Sequence, residues 1–158
     1  MSNSLEKQLF QATALTFEGL GFLMVAPDLE EQQKAGSWEA AVEVGFRGPF
    51  SGKVVLAVSD GVLSNVMSNM LGDEAAASGS TRQDLLGELA NVICGNVLGQ
   101  VSPGRRSFDL SAPRPLPLAE LKGWNEAPAG EIHVGLDDGR ADVYLFVRSA
   151  GQKGPAVS

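Results

Sequence analysis

Two segments with regularly alternating apolar residues, each interrupted by a turn signal, constrain the fold of this chain most strongly. In residues 39–59 the turn-forming sequence RGPFSG separates two alternating runs, Val42, Val44 and Phe46 before it and Val54, Leu56 and Val58 after it. In residues 131–149 the turn is DDGR, which favours chain reversal because glycine accepts a positive φ angle without a Cβ clash. Alternation with a period of two is typical of half-buried strands. The sequence therefore predicts two β-hairpins.

Helical patterns precede each hairpin and also follow the first one. Apolar residues recur near helical spacing in residues 3–24, in residues 60–72 and in a long stretch from about residue 81 to residue 101. The charged residues 28–37 predict a loop or an edge. Residues 103–129 contain prolines at positions 103, 113, 115, 117 and 128. They predict a long irregular excursion in which SFDLSA is the candidate strand.

Along the chain, a helix followed by a hairpin occurs twice. Such a repeat indicates a pseudo-symmetric α+β domain, in which antiparallel β-hairpins form a sheet packed by two long helices. A chain of 158 residues is long enough to bury the core of one domain. We expect this single domain to span residues 1–150 and residues 151–158 to form a flexible tail.

Composition and charge exclude several classes of partner. The formal net charge of −7 and the pI of about 4.6 make nucleic acid a poor partner, because an acidic surface repels phosphate. Glu6 and Lys7 interrupt any signal-peptide core, and no stretch approaches the roughly 18 apolar residues of a membrane span. We therefore expect a cytoplasmic chain with no membrane contact. Cys94 is the only cysteine and His133 the only histidine, which disfavours a metal site.

A row of polar residues interrupts the long helix in the stretch DLLGELANVICGNVLGQ, residues 84–100. At about 100° per residue, Asp84, Glu88 and Asn91 fall in one narrow arc, opposite the apolar residues. Gly95 and Gly99 lie in or beside the same arc, and helical glycine costs about 1 kcal/mol relative to alanine. Three interpretations stay open: a solvated face whose acids favour the helix dipole, an internal helix contact, or a site presented to a partner.

The same stretch resembles the motif D/S-x3-E-x2-N-x3-G-N of the CheC/CheX/FliY family of chemotaxis phosphatases. Asp84, Glu88, Asn91, Gly95 and Asn96 all fall on motif positions, and the hairpin and short helix in residues 42–74 look similar as well. The resemblance covers about residues 5–148. CheC-type members carry two such helices and CheX carries one.

The first helix of this chain matches the motif only in part. It offers Ala14, Glu18 and Gly21 where the long helix has Asp84, Glu88 and Asn91, so the amide is missing. The resemblance therefore implies a one-site, CheX-like protein.

The resemblance also implies an activity, hydrolysis of the aspartyl phosphate of a CheY-type response-regulator receiver. In the family's terms, Asn91 positions the attacking water and Glu88 engages the receiver's active-site lysine, while Asp84, Gly95 and Asn96 support the site. No cofactor is expected on this chain, because the receiver brings its own Mg²⁺. A homodimer is also implied. The alternative is a non-catalytic receiver-binding or scaffold module of the same fold.

Overall fold

The computed structural model describes residues 2–20, 23–71, 79–101, 108–122, 124, 126–136 and 139–148. In chain order, its elements are α1 Ser2–Leu20, β1 Val25–Ala26, α2 Glu31–Lys34, β2 Trp38–Arg47, β3 Ser51–Ser59, α3 Val62–Leu71, α4 Gly79–Val101, β4 Asp109–Leu110, β5 Arg114–Pro115, a 3₁₀ helix Leu118–Lys122, β6 Gly130–Leu136 and β7 Gly139–Arg148. Both predicted hairpins are present, as β2–β3 and β6–β7.

One antiparallel sheet contains all the described strands. Its order is β1-β6-β7-β3-β2-β4, and β5 also pairs with β2. The two hairpins join through β3 and β7, where Leu56 lies opposite Val143. The predicted class, an α+β domain built on antiparallel hairpins, is confirmed.

The two long helices pack side by side on one face of this sheet. α1 lies over β6, whereas α4 lies over β2 and β3, so each long helix covers the hairpin of the other half. The alternating positions of the hairpins supply the floor of this core, with Val42, Val44, Val54 and Leu56 fully buried. Burial of each such side chain contributes about 1.5–3 kcal/mol. This crossed packing holds α4 in a fixed place above β2 and β3.

The second part of the proline-rich segment, from Leu116 onward, covers the opposite face of the sheet. Leu116, Leu121 and Trp124 pack there against strand residues that alternate with the main core, and the Trp124 ring lies 4.7 Å from the ring of Tyr144 and 4.9 Å from that of Phe146. Edge-to-face aromatic pairs of this kind stabilise beyond the area they bury. The irregular excursion is therefore a second, smaller core layer.

Two sequence expectations, the end of the first helix and the loop at residues 28–37, are wrong. The first helix ends at Leu20 rather than at residue 24, and Val25 already belongs to β1. Glycine at positions 19 and 21 disfavours continuation of the helix. The supposed loop at residues 28–37 contains the short helix α2, whose start is closed by a 2.7 Å hydrogen bond from the backbone N–H of Glu30 to Oε1 of Gln33. The long helix, Gly79–Val101, agrees with the expected start at about residue 81 and with the expected end at residue 101.

Other parts of the sequence interpretation lie outside the described residues. The predicted tail at residues 151–158 and the two central residues of the second hairpin turn, 137 and 138, belong to this group. Within the described residues, no helix is both long and apolar enough to cross a membrane.

Candidate functional site

The polar row of α4 faces solvent. Asp84, Glu88, Asn91 and Gly95 are all exposed. The opposite side of the helix is fully buried against the sheet and the other helices, at Leu86, Leu89, Ile93 and Val97. The orientation expected from helical spacing is confirmed, and the interpretation of the row as an internal helix contact is wrong.

The glycines of α4 play two different roles. At Gly95 and at Gly99 an added Cβ atom would have no neighbour within 4 Å, so both positions open onto free space. At Gly87 an added Cβ would lie 2.9 Å from Cβ of Pro113, which is closer than ordinary packing allows. Gly87 is therefore required by a contact inside the chain, whereas Gly95 and Gly99 leave the outer surface bare.

The row lies between two flanks of different origin. Gly87 and Asn96 are nine residues apart, which at about 100° per residue places them on opposite sides of α4. On one side Pro113 of the proline-rich segment packs on Gly87. On the other, Nδ2 of Asn96 donates a 3.5 Å hydrogen bond to Oγ1 of Thr16 on α1. The surface of α4 around Glu88 is therefore open to solvent and bounded on both sides by these two contacts.

Asn96 is the motif residue that does not join the exposed row. It is half-buried at the boundary with α1, and its amide bonds to Thr16. The structure thus brings Asp84, Glu88, Asn91 and Gly95 together on one surface and turns Asn96 toward the neighbouring helix.

The matching positions of α1 are used differently. The carboxylate of Glu18, which aligns with Glu88, accepts a 3.1 Å hydrogen bond from the backbone N–H of Val25 and so holds the start of β1. Gly21, which aligns with Asn91, supplies no side-chain amide and lies outside the described residues. Among the described residues, the motif's acid and amide therefore share a helix face on α4 and not on α1.

The start of α4 is anchored to the sheet by an ion pair. NH1 of Arg82 lies 3.1 Å from Oε2 of Glu39 on β2. This contact lies one turn or less from Asp84, so it fixes the helix where the row begins. A partly exposed pair of this kind contributes up to about 1 kcal/mol.

Cys94 supplies no nucleophile to the site. Its side chain is fully buried in the main core, and burial raises the pKa of the thiol to about 12. The thiol therefore stays protonated at neutral pH, and the expectation that it serves packing is consistent with this position.

The polar row on α4 offers two carboxylates and a neutral amide, groups that orient water and accept hydrogen bonds from a cation.

A polar cluster on the opposite face of the sheet was missed by sequence reasoning. The fully buried carboxylate of Asp142 lies 2.6 Å from Nδ1 of His133, and it also accepts hydrogen bonds from Nε1 of Trp38 (2.5 Å) and NH2 of Arg140 (2.8 Å). Nε2 of His133 lies 2.9 Å from Oε2 of Glu131. The sequence signal that could have revealed the cluster is the alternation in β6 and β7, which places these polar residues on one face. The pairing itself depends on the strand register, which sets His133 opposite Asp142.

The cluster shifts the pKa values of its members in opposite directions. The hydrogen bond to Asp142 raises the pKa of His133, against a smaller opposing effect of burial. Burial alone would raise the pKa of Asp142, but the hydrogen bonds from His133, Arg140 and Trp38 together lower it. Within the described part of the chain, no group of three or more His, Cys, Asp or Glu residues is arranged to hold a metal ion.

A cavity of about 760 Å³ lies apart from the polar row, beside β2, β3, β4 and β7. Of the four cations that line it, three are paired with carboxylates: Arg114 and Lys53 lie 2.9 Å and 3.5 Å from carboxylate oxygens of Glu43, and Arg148 lies 3.0 Å from Glu126. No residue of the row lines this cavity.

Comparison with known proteins identifies a matching family and several structures with the same fold. A family model described as chemotaxis phosphatase CheX matches residues 40–122, slightly more than half of the chain. The CheX structure from Desulfovibrio desulfuricans is similar with a TM-score of 0.70 at 17% identity, covering 92% of this chain and 99% of that chain. The CheX structure from Vibrio vulnificus gives a TM-score of 0.67 at 16% identity, covering 91% and 96%.

A third similar structure is the CheX-CheY-BeF₃-Mg²⁺ complex from Borrelia burgdorferi, with a TM-score of 0.61 at 14% identity over 90% of this chain and 97% of that chain. No curated protein matches the chain by sequence. At these identities the structural likeness establishes the fold, and the family model, which spans β2 through α4, includes the polar row. The chain belongs to the CheX family of chemotaxis phosphatases.

Proposed function

We propose that this chain hydrolyses the aspartyl phosphate of a CheY-type response-regulator receiver, in chemotaxis or two-component signalling. The observation that carries the proposal is the exposed row on α4, in which Glu88 and Asn91 occupy neighbouring turns with bare glycine surface beside them. A phosphoryl group buried in a receiver's own active site can be reached only by side chains that project from a surface. The row meets that requirement, because α4 presents it with both flanks fixed.

Asn91 positions the attacking water in this proposal. Its amide oxygen accepts and its amide nitrogen donates, so it orients a water molecule without titrating near neutral pH. An acyl phosphate is already activated, and its transfer to water depends mainly on in-line placement of the nucleophile. Since each 1.4 kcal/mol changes a rate about tenfold, loss of a few kcal/mol of positioning lowers turnover by about a hundredfold or more.

Glu88 has the second role, as the acceptor for the receiver's active-site lysine. It lies one turn before Asn91 on the same face, so the two side chains enter one receiver site together. Asp84 lies one turn further toward the N-terminus of α4, where its charge supports the site and favours the helix dipole. The Mg²⁺ is the receiver's own and neutralises charge on the phosphoryl oxygens.

The receiver partner is supported by similarity to the Borrelia burgdorferi protein whose structure is a CheX-CheY-BeF₃-Mg²⁺ complex. We also propose that the chain forms a homodimer, as the family resemblance implies. Light scattering on the purified chain over a range of concentrations tests this second proposal, and a monomer mass throughout would contradict it.

The test of the activity is phosphate release from CheY-type receivers of the source organism, phosphorylated with acetyl phosphate in the presence of Mg²⁺. The comparison is wild type, Asn91→Ala and the control Gln32→Ala, which removes an exposed side-chain amide from α2 instead of α4. We expect acceleration by wild type and Gln32→Ala and its loss with Asn91→Ala. Binding of a receiver without acceleration would leave a non-catalytic binding module instead.

A further inference from the structure

Leu15 is an exposed apolar residue on the outer side of α1. Its side chain is 61% exposed, whereas the next residue, Thr16, is buried and contacts α4. A single exposed leucine is ordinary on a protein surface. What distinguishes Leu15 is its position next to the polar row of α4.

The contact between Thr16 and Asn96 fixes that position. Asn91 precedes Asn96 by five residues, which is about 7.5 Å along the axis of α4. Packed helices lie about 8–10 Å apart. Leu15 therefore lies roughly 12 Å from Asn91, on the same outer surface of the two-helix layer.

Pro113 occupies the corresponding place on the other flank. It packs on Gly87, the residue before Glu88, and it remains exposed itself. Because Gly87 and Asn96 point in opposite directions from α4, the polar row lies between Leu15 on one side and Pro113 on the other.

We propose that Leu15 and Pro113 form an apolar docking rim for the phosphorylated receiver. The proposal rests on the proposed function and adds to it the contacts that hold the partner. A specific interface covers roughly 800 Å² on each partner, a patch roughly 30 Å across, so a receiver centred on Asn91 covers both residues. The free space over Gly95 and Gly99 lets the receiver backbone come close enough to contact Leu15 and Pro113.

The rim and the polar row have separable effects. An apolar contact away from the phosphorus is equally strong before and during the reaction, so it lowers KM without changing kcat. Glu88 and Asn91 act at the reacting group, so their loss lowers kcat. A structural role for Leu15 predicts neither effect but a change in folding stability.

The test is Leu15→Gln, which keeps length and helix propensity but removes the apolar surface. Binding is measured with a receiver held in its active form by BeF₃ and Mg²⁺, and kcat is measured at saturating phosphorylated receiver. The matched control is Leu118→Gln, which changes another exposed leucine (38% exposed) on the opposite face of the sheet. A second rim variant is Pro113→Ser.

We expect Leu15→Gln to weaken receiver binding about tenfold and Pro113→Ser about threefold, with kcat unchanged in both, the melting temperature unchanged in Leu15→Gln, and Leu118→Gln equal to wild type. The rim is refuted, with the phosphatase intact, if Leu15→Gln binds the receiver as wild type does while Asn91→Ala abolishes turnover. It is also refuted if Leu118→Gln weakens binding equally. If wild type neither binds nor dephosphorylates any receiver, the proposed function fails and the rim fails with it.

Discussion

Nδ2 of Asn96 on α4 donates a 3.5 Å hydrogen bond to Oγ1 of Thr16 on α1, while that hydroxyl donates at 2.8 Å to the carbonyl oxygen of Ala12. The bond joins the two long helices beside the exposed row. It divides the sequence motif into residues that face solvent and one residue, Asn96, that joins their helix to α1.

This division predicts opposite phenotypes for two asparagines five residues apart. Asn96→Ala removes the interhelical hydrogen bond and should lower the free energy of unfolding by about 1 kcal/mol, with less than about a threefold change in dephosphorylation rate. Asn91→Ala should leave stability within about 0.5 kcal/mol of wild type, because the residue is exposed. Urea denaturation of both variants checks this. A larger stability loss in Asn91→Ala than in Asn96→Ala would contradict the assignment.

Substitution of Gly95 should change stability and turnover in opposite directions. Gly95→Ala adds a methyl group into free space on a helix, so it should raise the free energy of unfolding by up to about 1 kcal/mol. The same methyl group lies one turn past Asn91 on the face that the receiver approaches, so turnover should fall. Gly99→Ala, two turns past Asn91, is the control: the same gain in stability with a smaller effect on turnover. Equal turnover in Gly95→Ala and Gly99→Ala would show that the bare surface at Gly95 is not needed for receiver docking.

Gly87 should respond in the opposite direction to Gly99 when replaced by alanine. At Gly87 the new Cβ would lie 2.9 Å from Cβ of Pro113, and the strain of overpacking, about 1–3 kcal/mol, outweighs the gain in helix propensity. Gly87→Ala should therefore lower the melting temperature and Gly99→Ala should raise it. Calorimetry on the two variants measures the signs directly, and a higher melting temperature for Gly87→Ala would show that the proline-rich segment does not rest on α4.

The His133–Asp142 pair should make folding stability depend on pH. The raised pKa of His133 means that the folded state binds its proton more tightly than the unfolded state does. The resulting stability is fully present below about pH 6.5 and is lost as the pH rises through the folded-state pKa. The pKa of Asp142 is lowered, so its contribution is lost only in acid, below its ordinary value of 3.8.

Urea denaturation between pH 6 and pH 9 measures this dependence. The free energy of unfolding of wild type should fall across this range, and His133→Gln should remove that part of the fall. Burial also raises the pKa of the Cys94 thiol from its ordinary value of 9.0 to about 12, so the unfolded thiol starts to titrate near pH 9 and adds a fall of its own at the top of this range. That fall is common to wild type and His133→Gln, so the difference between the two curves reports the histidine. Identical slopes for wild type and His133→Gln would exclude the histidine as their source.

The main architecture could be predicted because it follows from local periodicity. Alternation specified β2, β3, β6 and β7, and the arc containing Asp84, Glu88 and Asn91 correctly indicated the exposed side of α4. Features that depend on contacts between distant segments could not be read in this way. The buried carboxylate of Asp142 and the packing of Pro113 on Gly87 both depend on residues brought together only by the folded chain.

If Asn91 positions the attacking water, the decay rate of a phosphorylated CheY-type receiver depends on the Asn91 side chain. The rate is followed under single-turnover conditions at saturating concentrations of wild type and of Asn91→Ala, so that differences in affinity do not contribute. We expect a rate lower by about a hundredfold or more in Asn91→Ala, with receiver binding retained. Rates that agree within about twofold, with wild type clearly accelerating decay, would show that the water is positioned by another group.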